Sequence, residues 1–224
     1  MGDSIENEIP YIQFRDVSFS YPGKREDLIS KCSFSIDKPG FWMVVGQNGS
    51  GKSTLLKLIN GIIKPNFGVI HCKANIGIVF QNPDHQILMP NCRSELLLNI
   101  NQNISDYEIS KKIEYVLDQV ELTGFEKRPV YTLSGGQKQR LTIACALISN
   151  RNFILLDEPT SLLDKKSQLK VLKTIKNLTS DDKKPLSALW ITHRYEELIY
   201  ADAVAELKNG FLSRWQEPSK FTYN

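Results

Sequence analysis

Apolar and polar residues alternate with period two at the front of the chain, with one slip. Ile12 and Phe14 share one parity, whereas Val17, Phe19 and Tyr21 share the other; a bulge near Asp16 reconciles them within one strand over residues 11–21. Cys32, Phe34 and Ile36 alternate again before the turn Lys38-Pro39-Gly40, so this part reads as a small, mainly antiparallel β layer. Phe41–Val45 is a continuous apolar strand, followed after a loop by helically spaced Leu55, Leu58, Ile59 and Ile62. Gly61 and Pro65 end that helix, and Val69–Cys72 and Ile76–Phe80 are short strands. Residues 91–149 carry helical patterning and no β-periodic stretch. Ser105-Asp106-Tyr107-Glu108 is a capping box for a helix with Ile109, Ile113, Val116, Leu117 and Val120 on one face, and Gly124 and Pro129 break the pattern. Phe153–Leu156 is an apolar strand, Asp164 opens a helix striped by Leu169, Leu172, Ile175 and Leu178, and Leu186–Ile191 is a strand. A hairpin of Ala203–Leu207 and Phe211–Trp215 turns at Asn209-Gly210. The pattern predicts one α/β unit with a helical insertion between its halves.

Between the apolar strand and the first helix lies Gly46-Gln47-Asn48-Gly49-Ser50-Gly51-Lys52-Ser53-Thr54, which fits G-x-x-x-x-G-K-[ST]. Its glycines open backbone conformations closed to other residues, so successive N–H groups can turn onto a phosphate at the positive end of a helix dipole. Lys52 can reach the β- and γ-phosphates, and the Ser53 hydroxyl can ligate Mg²⁺. The bland alternative is a Gly-rich turn before an ordinary helix; the strand–loop–helix context argues against it.

Further positions carry chemistry only in combination. Leu133-Ser134-Gly135-Gly136-Gln137 precedes a helix containing Leu141, Cys145 and Ile148, with Ser134 as N-cap; this is a second anion-binding helix start, suited to a nucleotide held mainly by another subunit. Asp157 and Glu158 end a strand, where side chains diverge: Asp157 can hold Mg²⁺ while Glu158 polarises an attacking water, the alternative being simple solvation. Gln81 alone is a loop residue, His193 alone is either a ligand contact or packing, and Tyr21 alone is either a base-stacking ring or a core aromatic. His85 has no second metal ligand at useful spacing and reads as a loop or interface residue.

Composition adds mainly exclusions. The chain has 224 residues and a formal net charge of +3, which does not call for nucleic acid as a partner. No apolar run approaches a membrane span, and Met1–Glu6 is acidic, without an apolar signal region or a Ser or Thr at the sixth position for myristoylation. A cytoplasmic (or plastid stromal) location follows as the expectation. Cys32, Cys72, Cys92 and Cys145 form no C-x-x-C pair and read as small buried hydrophobes in a reducing compartment.

The order of these motifs resembles the nucleotide-binding domain of ATP-binding-cassette (ABC) transporters across nearly the whole chain. Gly46–Thr54 matches the Walker A loop, Gln81 the Q-loop and Leu133–Gln137 the family signature. Phe153–Glu158 matches Walker B with the catalytic glutamate, Ser161-Leu162-Leu163-Asp164 the D-loop, His193 the switch histidine and Tyr21 the adenine-stacking aromatic. The resemblance implies the ABC ATPase fold: a P-loop NTPase core with a mainly parallel central sheet (residues 1–81 and 150–224), a small antiparallel β layer and a helical subdomain (82–149). It implies Mg²⁺ and ATP as ligands, with Ser53, Gln81 and Asp157 toward the metal and Glu158, His193 and Gln81 toward hydrolysis. It further implies a head-to-tail dimer in which Ser134–Gln137 meets the partner's ATP, and a separate membrane subunit docking near residues 81–90, with the ATPase peripheral on the inner face. Phe80-Gln81-Asn82-Pro83-Asp84-His85-Gln86-Ile87, followed by Met89-Pro90, is similar to the ATPases of energy-coupling-factor and cobalt-type importers. Two features depart from those ATPases: a short segment between Lys52 and Gln81, and a chain that ends soon after Trp215. The competing reading is a non-transport cytosolic ABC ATPase, such as one for iron–sulfur assembly; two-cassette translation factors, coiled-coil repair ATPases and a non-enzymatic module fit less well.

Overall fold

The structure is a computed structural model describing residues 11–24, 26–100, 104–181 and 186–221. Strands β1 (Ile12–Phe19) and β2 (Ile29–Ile36) are followed by β3 (Phe41–Val45), helix α1 (Lys52–Ile59), β4 (Phe67–Cys72) and β5 (Ile76–Val79). Helices α2 (Cys92–Leu97), α3 (Asp106–Gln119) and α4 (Gly135–Ile148) come next. The chain continues through β6 (Phe153–Asp157), α5 (Lys165–Thr179), β7 (Ser187–Thr192), β8 (Ala203–Lys208) and β9 (Phe211–Leu212).

The strands form two sheets. One is antiparallel, in the order β2-β1-β4; the other has the order β5-β6-β7-β3-β8-β9, parallel except for the β8–β9 hairpin. The central strands are apolar at nearly every position because both faces are covered. Alternation then divides their side chains between two cores. Phe41, Met43, Val45, Ile154, Leu156 and Trp190 pack toward the helices, while Trp42, Val44, Phe153, Leu155, Leu189 and Ile191 pack toward α1 and the antiparallel sheet.

The bulge at Asp16 is present. Asp16 has φ +49, the register of β1 shifts between Phe14 and Val17, and Ser33 Oγ accepts from Asp16 N at 2.8 Å while donating to its Oδ1 at 3.0 Å. The extra residue lets Ile12, Phe14, Val17 and Phe19 all enter the same core. Ser105 and Glu108 make the expected reciprocal cap on α3, whose Ile113, Val116 and Leu117 are buried.

Several local expectations need correction. Helix α1 stops at Ile59, capped by Asn60, and Ile62 is exposed past it, because the chain leaves the helix axis before its apolar spacing ends. Leu169 on α5 faces outward, and Val171 takes its place in the core. Tyr21 lies beyond the end of β1, Trp215 lies beyond β9, and Cys72 is exposed on edge strand β4 while the other three cysteines are buried.

Candidate functional site

The sheet order brings three strand ends to one edge. Val45 of β3 is level with Thr192 of β7, and Asp157 of β6 is level with Ile191. The loop after β3, the carboxylates after β6 and the histidine after β7 therefore emerge side by side, at the carboxyl edge where open α/β sheets bind ligands. A cleft of ≈ 370 Å³ there is lined by Asn48, Gly49, Gly51, Lys52, Ser53, Thr54, Gln81, Asp157 and Glu158, with Leu28 at its margin.

The loop's shape requires its glycines at two places. A Cβ on Gly46 would come 2.5 Å from the Leu207 carbonyl oxygen, so β8 approaches too closely for any side chain. Gly51 has φ +102 immediately before α1, with the Leu28 carbonyl 3.2 Å from where a Cβ would stand. Ser50 Oγ is buried in the loop without a hydrogen-bond partner among the described residues. An acceptor-rich phosphate fits both that orphan hydroxyl and the loop's amides.

Lys52 is buried and donates to the carbonyls of Gly46 at 2.7 Å and Gln47 at 3.0 Å. Its ammonium also lies 3.4 Å from Glu158 Oε1, while Glu158 Oε2 is 2.9 Å from His193 Nδ1. An ionised carboxylate only accepts, so this contact assigns the ring proton to Nδ1. Glu158 itself has φ +44 and is held in a tight turn, its N–H on Ile191 O at 3.0 Å and its carbonyl accepting from Ser161 N at 3.1 Å.

Ser53 Oγ donates to Asp157 Oδ1 at 3.1 Å. Burial pushes the Asp157 carboxyl above its ordinary range; the Ser53 hydrogen bond pulls it back in part, and neighbouring Glu158 adds to the rise. These oxygens suit a hard cation: adjacent corners of an octahedron with metal–oxygen distances of about 2.0–2.1 Å lie roughly 3 Å apart. Among the described residues there is no cluster of three or more His, Cys, Asp or Glu that could hold a metal, so further oxygens would have to come from phosphate and water. Gln81 lines the same cleft and donates its amide to Ser161 Oγ at 3.0 Å. The Tyr21 hydroxyl is 3.3 Å from Thr54 Oγ1, with its ring edge-on to Phe19 and partly exposed.

The Leu133–Gln137 stretch does not join this cleft. Ser134 and Gln137 cap α4 reciprocally, and Ser134, Gly136, Gln137, Arg140, Lys166, Ser167 and Lys170 line another cavity. Asp164 caps α5 through Ser167 N at 3.0 Å and Ser167 Oγ at 2.7 Å, which holds its carboxyl below the ordinary range. Helix α4 is nevertheless tied to the Gln81 segment, by Lys138 on Asp84 at 2.7 Å and Gln139 on the Phe80 carbonyl at 3.0 Å. Sequence reasoning missed Leu28 at the cleft, and it missed buried Glu197, which accepts from Thr160, Trp190 and Thr192. Glu197 sits in the polar run Arg194-Tyr195-Glu196-Glu197, which carries no sequence sign of burial.

A phosphate loop, a metal-suited Ser–Asp pair and a carboxylate beside a histidine at one edge of a parallel sheet define a P-loop nucleotide triphosphatase. Comparison with known proteins gives its family. The family model described as ABC transporter matches residues 29–161. The chain is 38% identical over 208 residues to ABC transporter I family member 10 of Arabidopsis thaliana, covering 91% of this chain and 77% of that protein. It is 35% identical over 230 residues to the energy-coupling factor transporter ATP-binding protein EcfA1 of Mycoplasmoides gallisepticum, covering 96% and 81%. Among solved structures, cbiO1 of Clostridium perfringens, part of the ABC transporter complex cbiONQ, superimposes with a TM-score of 0.87 at 25% identity, covering 94% of this chain and 90% of that one. A dimeric ATP-binding cassette in a post-hydrolysis state with ADP and Pi superimposes with a TM-score of 0.77 at 26% identity, covering 94% and 100%. The chain belongs to the ABC transporter family, as an ATP-binding and ATP-hydrolysing subunit.

Proposed function

We propose that this subunit works as a head-to-tail dimer, with each ATP held between one protomer's phosphate loop and the partner's Ser134–Gln137. The supporting observation is the separation within one chain of two phosphate-suited helix starts: the Lys52 cleft and the α4 start line different cavities. A second copy turned end to end gives the α4 start a nucleotide to meet.

In this reading Gly46–Thr54 cradles the triphosphate, Tyr21 stacks on the base, and Ser53, Asp157 and the Gln81 amide oxygen face Mg²⁺. A Mg²⁺ ion held by these residues would supply positive charge to offset that developing on the triphosphate. The triphosphate draws Lys52 away from Glu158, since several phosphate oxygens outcompete one carboxylate. Glu158, still oriented by His193, then accepts a proton from the water attacking the γ-phosphorus. His193 acts here through Nδ1, by orienting Glu158, and Asp164 lies in the loop that meets the partner protomer.

Among the described residues no helix is long and apolar enough to cross a membrane. We assign transport to a separate membrane subunit on which this chain sits peripherally, docked near residues 81–90, with residues 82–149 as the helical subdomain that carries the contact. The similarity to energy-coupling-factor and cobalt-type ATPases favours an importer of a vitamin or metal ion, and sets aside the iron–sulfur assembly reading. The test is affinity capture of the tagged chain from detergent-solubilised membranes. A polytopic partner retained in stoichiometric amount supports the reading; recovery of a soluble complex lacking any membrane protein overturns it.

A further inference from the structure

Glu197 is a carboxylate only 2% exposed near the site, and the side-chain donors that it accepts from, Thr160, Trp190 and Thr192, do not line the nucleotide cleft. Its Oε1 accepts from Thr160 Oγ1 at 2.5 Å. Its Oε2 accepts from Trp190 Nε1 at 3.0 Å and Thr192 Oγ1 at 2.7 Å. The donors are as buried as the carboxylate: Thr160 is 1% exposed, Thr192 2% and Trp190 0%. A carboxylate removed from water is tolerated only when its oxygens are satisfied, and a satisfied buried network fixes the geometry of the chain segments it joins.

The joined segments are the two that carry the reacting groups. Thr192 directly precedes His193, and its hydroxyl also accepts the Arg194 N–H at 3.0 Å, which sets the backbone on both sides of the histidine. Thr160 follows Glu158 by two residues, in the turn where Glu158 takes φ +44, a region a non-glycine residue keeps only when its surroundings hold it there. A second link runs parallel to the first: Arg194 Nη1 donates to Gln168 Oε1 at 2.9 Å, and Gln168 Nε2 donates to the Leu163 carbonyl at 2.6 Å. That link reaches Ser161–Asp164, where Ser161 also holds Gln81.

We propose that Glu197 is a positioning residue for ATP hydrolysis: through the hydroxyls of Thr160 and Thr192 it fixes the Glu158 turn and the His193 turn relative to each other. The inference rests on the roles assigned above to Glu158 and His193. Glu197 thereby holds the Glu158–His193 contact through the protein's own hydrogen bonds. Misplacement of a reacting group by about 1 Å can cost 10²-fold in rate, which is the scale at stake.

Chemistry supplies a conservative variant. An amide at this position keeps every bond if its oxygen faces Trp190 and Thr192 and its nitrogen donates to Thr160 Oγ1. Steady-state hydrolysis of Mg·ATP by the purified full chain is measured for Glu197→Gln and Glu197→Leu, alone and in a His193→Ala background, with melting temperatures alongside. Glu197→Leu is expected to lower kcat by about 10–100-fold with KM within about twofold, and Glu197→Gln to stay within about threefold of the parent. In the His193→Ala background Glu197→Leu should add little further loss, because both act through one alignment. Fully additive losses, a change in KM with kcat intact, or a Gln variant as impaired as Leu would overturn the proposal. If Glu197→Leu does not fold, Thr160→Val removes one hydroxyl at constant shape; a several-fold loss of kcat supports the inference and an unchanged kcat overturns it. Glu158→Gln is the control for the underlying roles: if it hydrolyses ATP like the parent, the site assignment falls and Glu197 with it. If it is inactive while the Glu197 variants are normal, only the positioning role fails.

Discussion

The ammonium of Lys52 lies 3.4 Å from the carboxylate of Glu158, although the two residues are proposed to act on different partners, a phosphate and a water. Each neutralises the other at a place where both are largely buried. In the proposed mechanism the triphosphate exchanges that contact for Lys52–phosphate contacts and leaves Glu158 with His193. On that proposal the substrate itself would free the base.

Glu158→Gln keeps shape and the contact to His193 but removes the basic group. Turnover should fall by roughly 10²–10⁴-fold, the usual scale for loss of a general base. ATP binding should persist or tighten, since Lys52 no longer has an anionic competitor. A phosphate-release assay paired with nucleotide titration checks both parts, and near-normal turnover sinks the assignment.

Lys52→Ala removes the cation for phosphate and the donor to the Gly46 and Gln47 carbonyls. Affinity for Mg·ATP should drop at least about tenfold, the loss of a charge-assisted contact. Isothermal titration decides; a variant that binds and hydrolyses normally rules this role out.

Gly135 and Gly136 answer different questions. A Cβ on Gly136 would stand 2.8 Å from Ser167 Cβ, so any substitution there disturbs the packing of α4 on α5. A Cβ on Gly135 meets only the end of the Leu163 side chain, at 3.2 Å. Gly135→Asp therefore tests charge more cleanly, placing a carboxylate where partner phosphates would come. In the Glu158→Gln background it should prevent ATP-dependent dimers in light scattering while one-chain nucleotide binding survives; dimers equal to the parent's refute the composite site.

Leu88, not Ile87, is the exposed apolar residue of the proposed docking segment. Leu88 is 76% exposed, its N–H and that of Met89 held by the Glu95 carboxylate, whereas Ile87 packs on the main core. Leu88→Glu should change stability by no more than about 0.5 kcal/mol and leave basal hydrolysis intact, yet abolish capture of the membrane subunit. Ile87→Glu should instead cost about 1–3 kcal/mol in stability. Retained capture with Leu88→Glu defeats the docking assignment.

Asp157 predicts a pH dependence. Its carboxyl is raised above the ordinary value by burial, so the folded chain binds more protons than the unfolded one across that interval. Stability of the nucleotide-free protein contributed by this group therefore falls as pH rises from about 4 through the raised value, and stays lower above it. Asp157→Asn should melt higher than the parent near neutral pH without ligand and lose less stability between about pH 4 and 7. Differential scanning fluorimetry across that range tests the sign, and a lower melting temperature at pH 7 contradicts it.

Local chemistry is written locally, and the sequence alone determined it. The loop Gly46–Thr54, the caps at Ser105 and Ser134, the bulge at Asp16 and the turn at Asn209-Gly210 each depend on a few neighbouring residues whose types and spacing name the geometry. The buried central strands and most of the helices follow from period and apolar run length in the same way. Only the tertiary structure decided what depends on strand order. The placement of β7 between β6 and β3 sets His193 against Glu158, and Glu158 against Lys52, across separations of 35 and 106 residues. It also decided which of Ile87 and Leu88 faces out, where α1 stops short of Ile62, and that Glu197 lies buried beneath the site. Side-chain periodicity tells which face of an element is apolar; it does not tell which other element covers that face, and burial of a charged residue is settled only there.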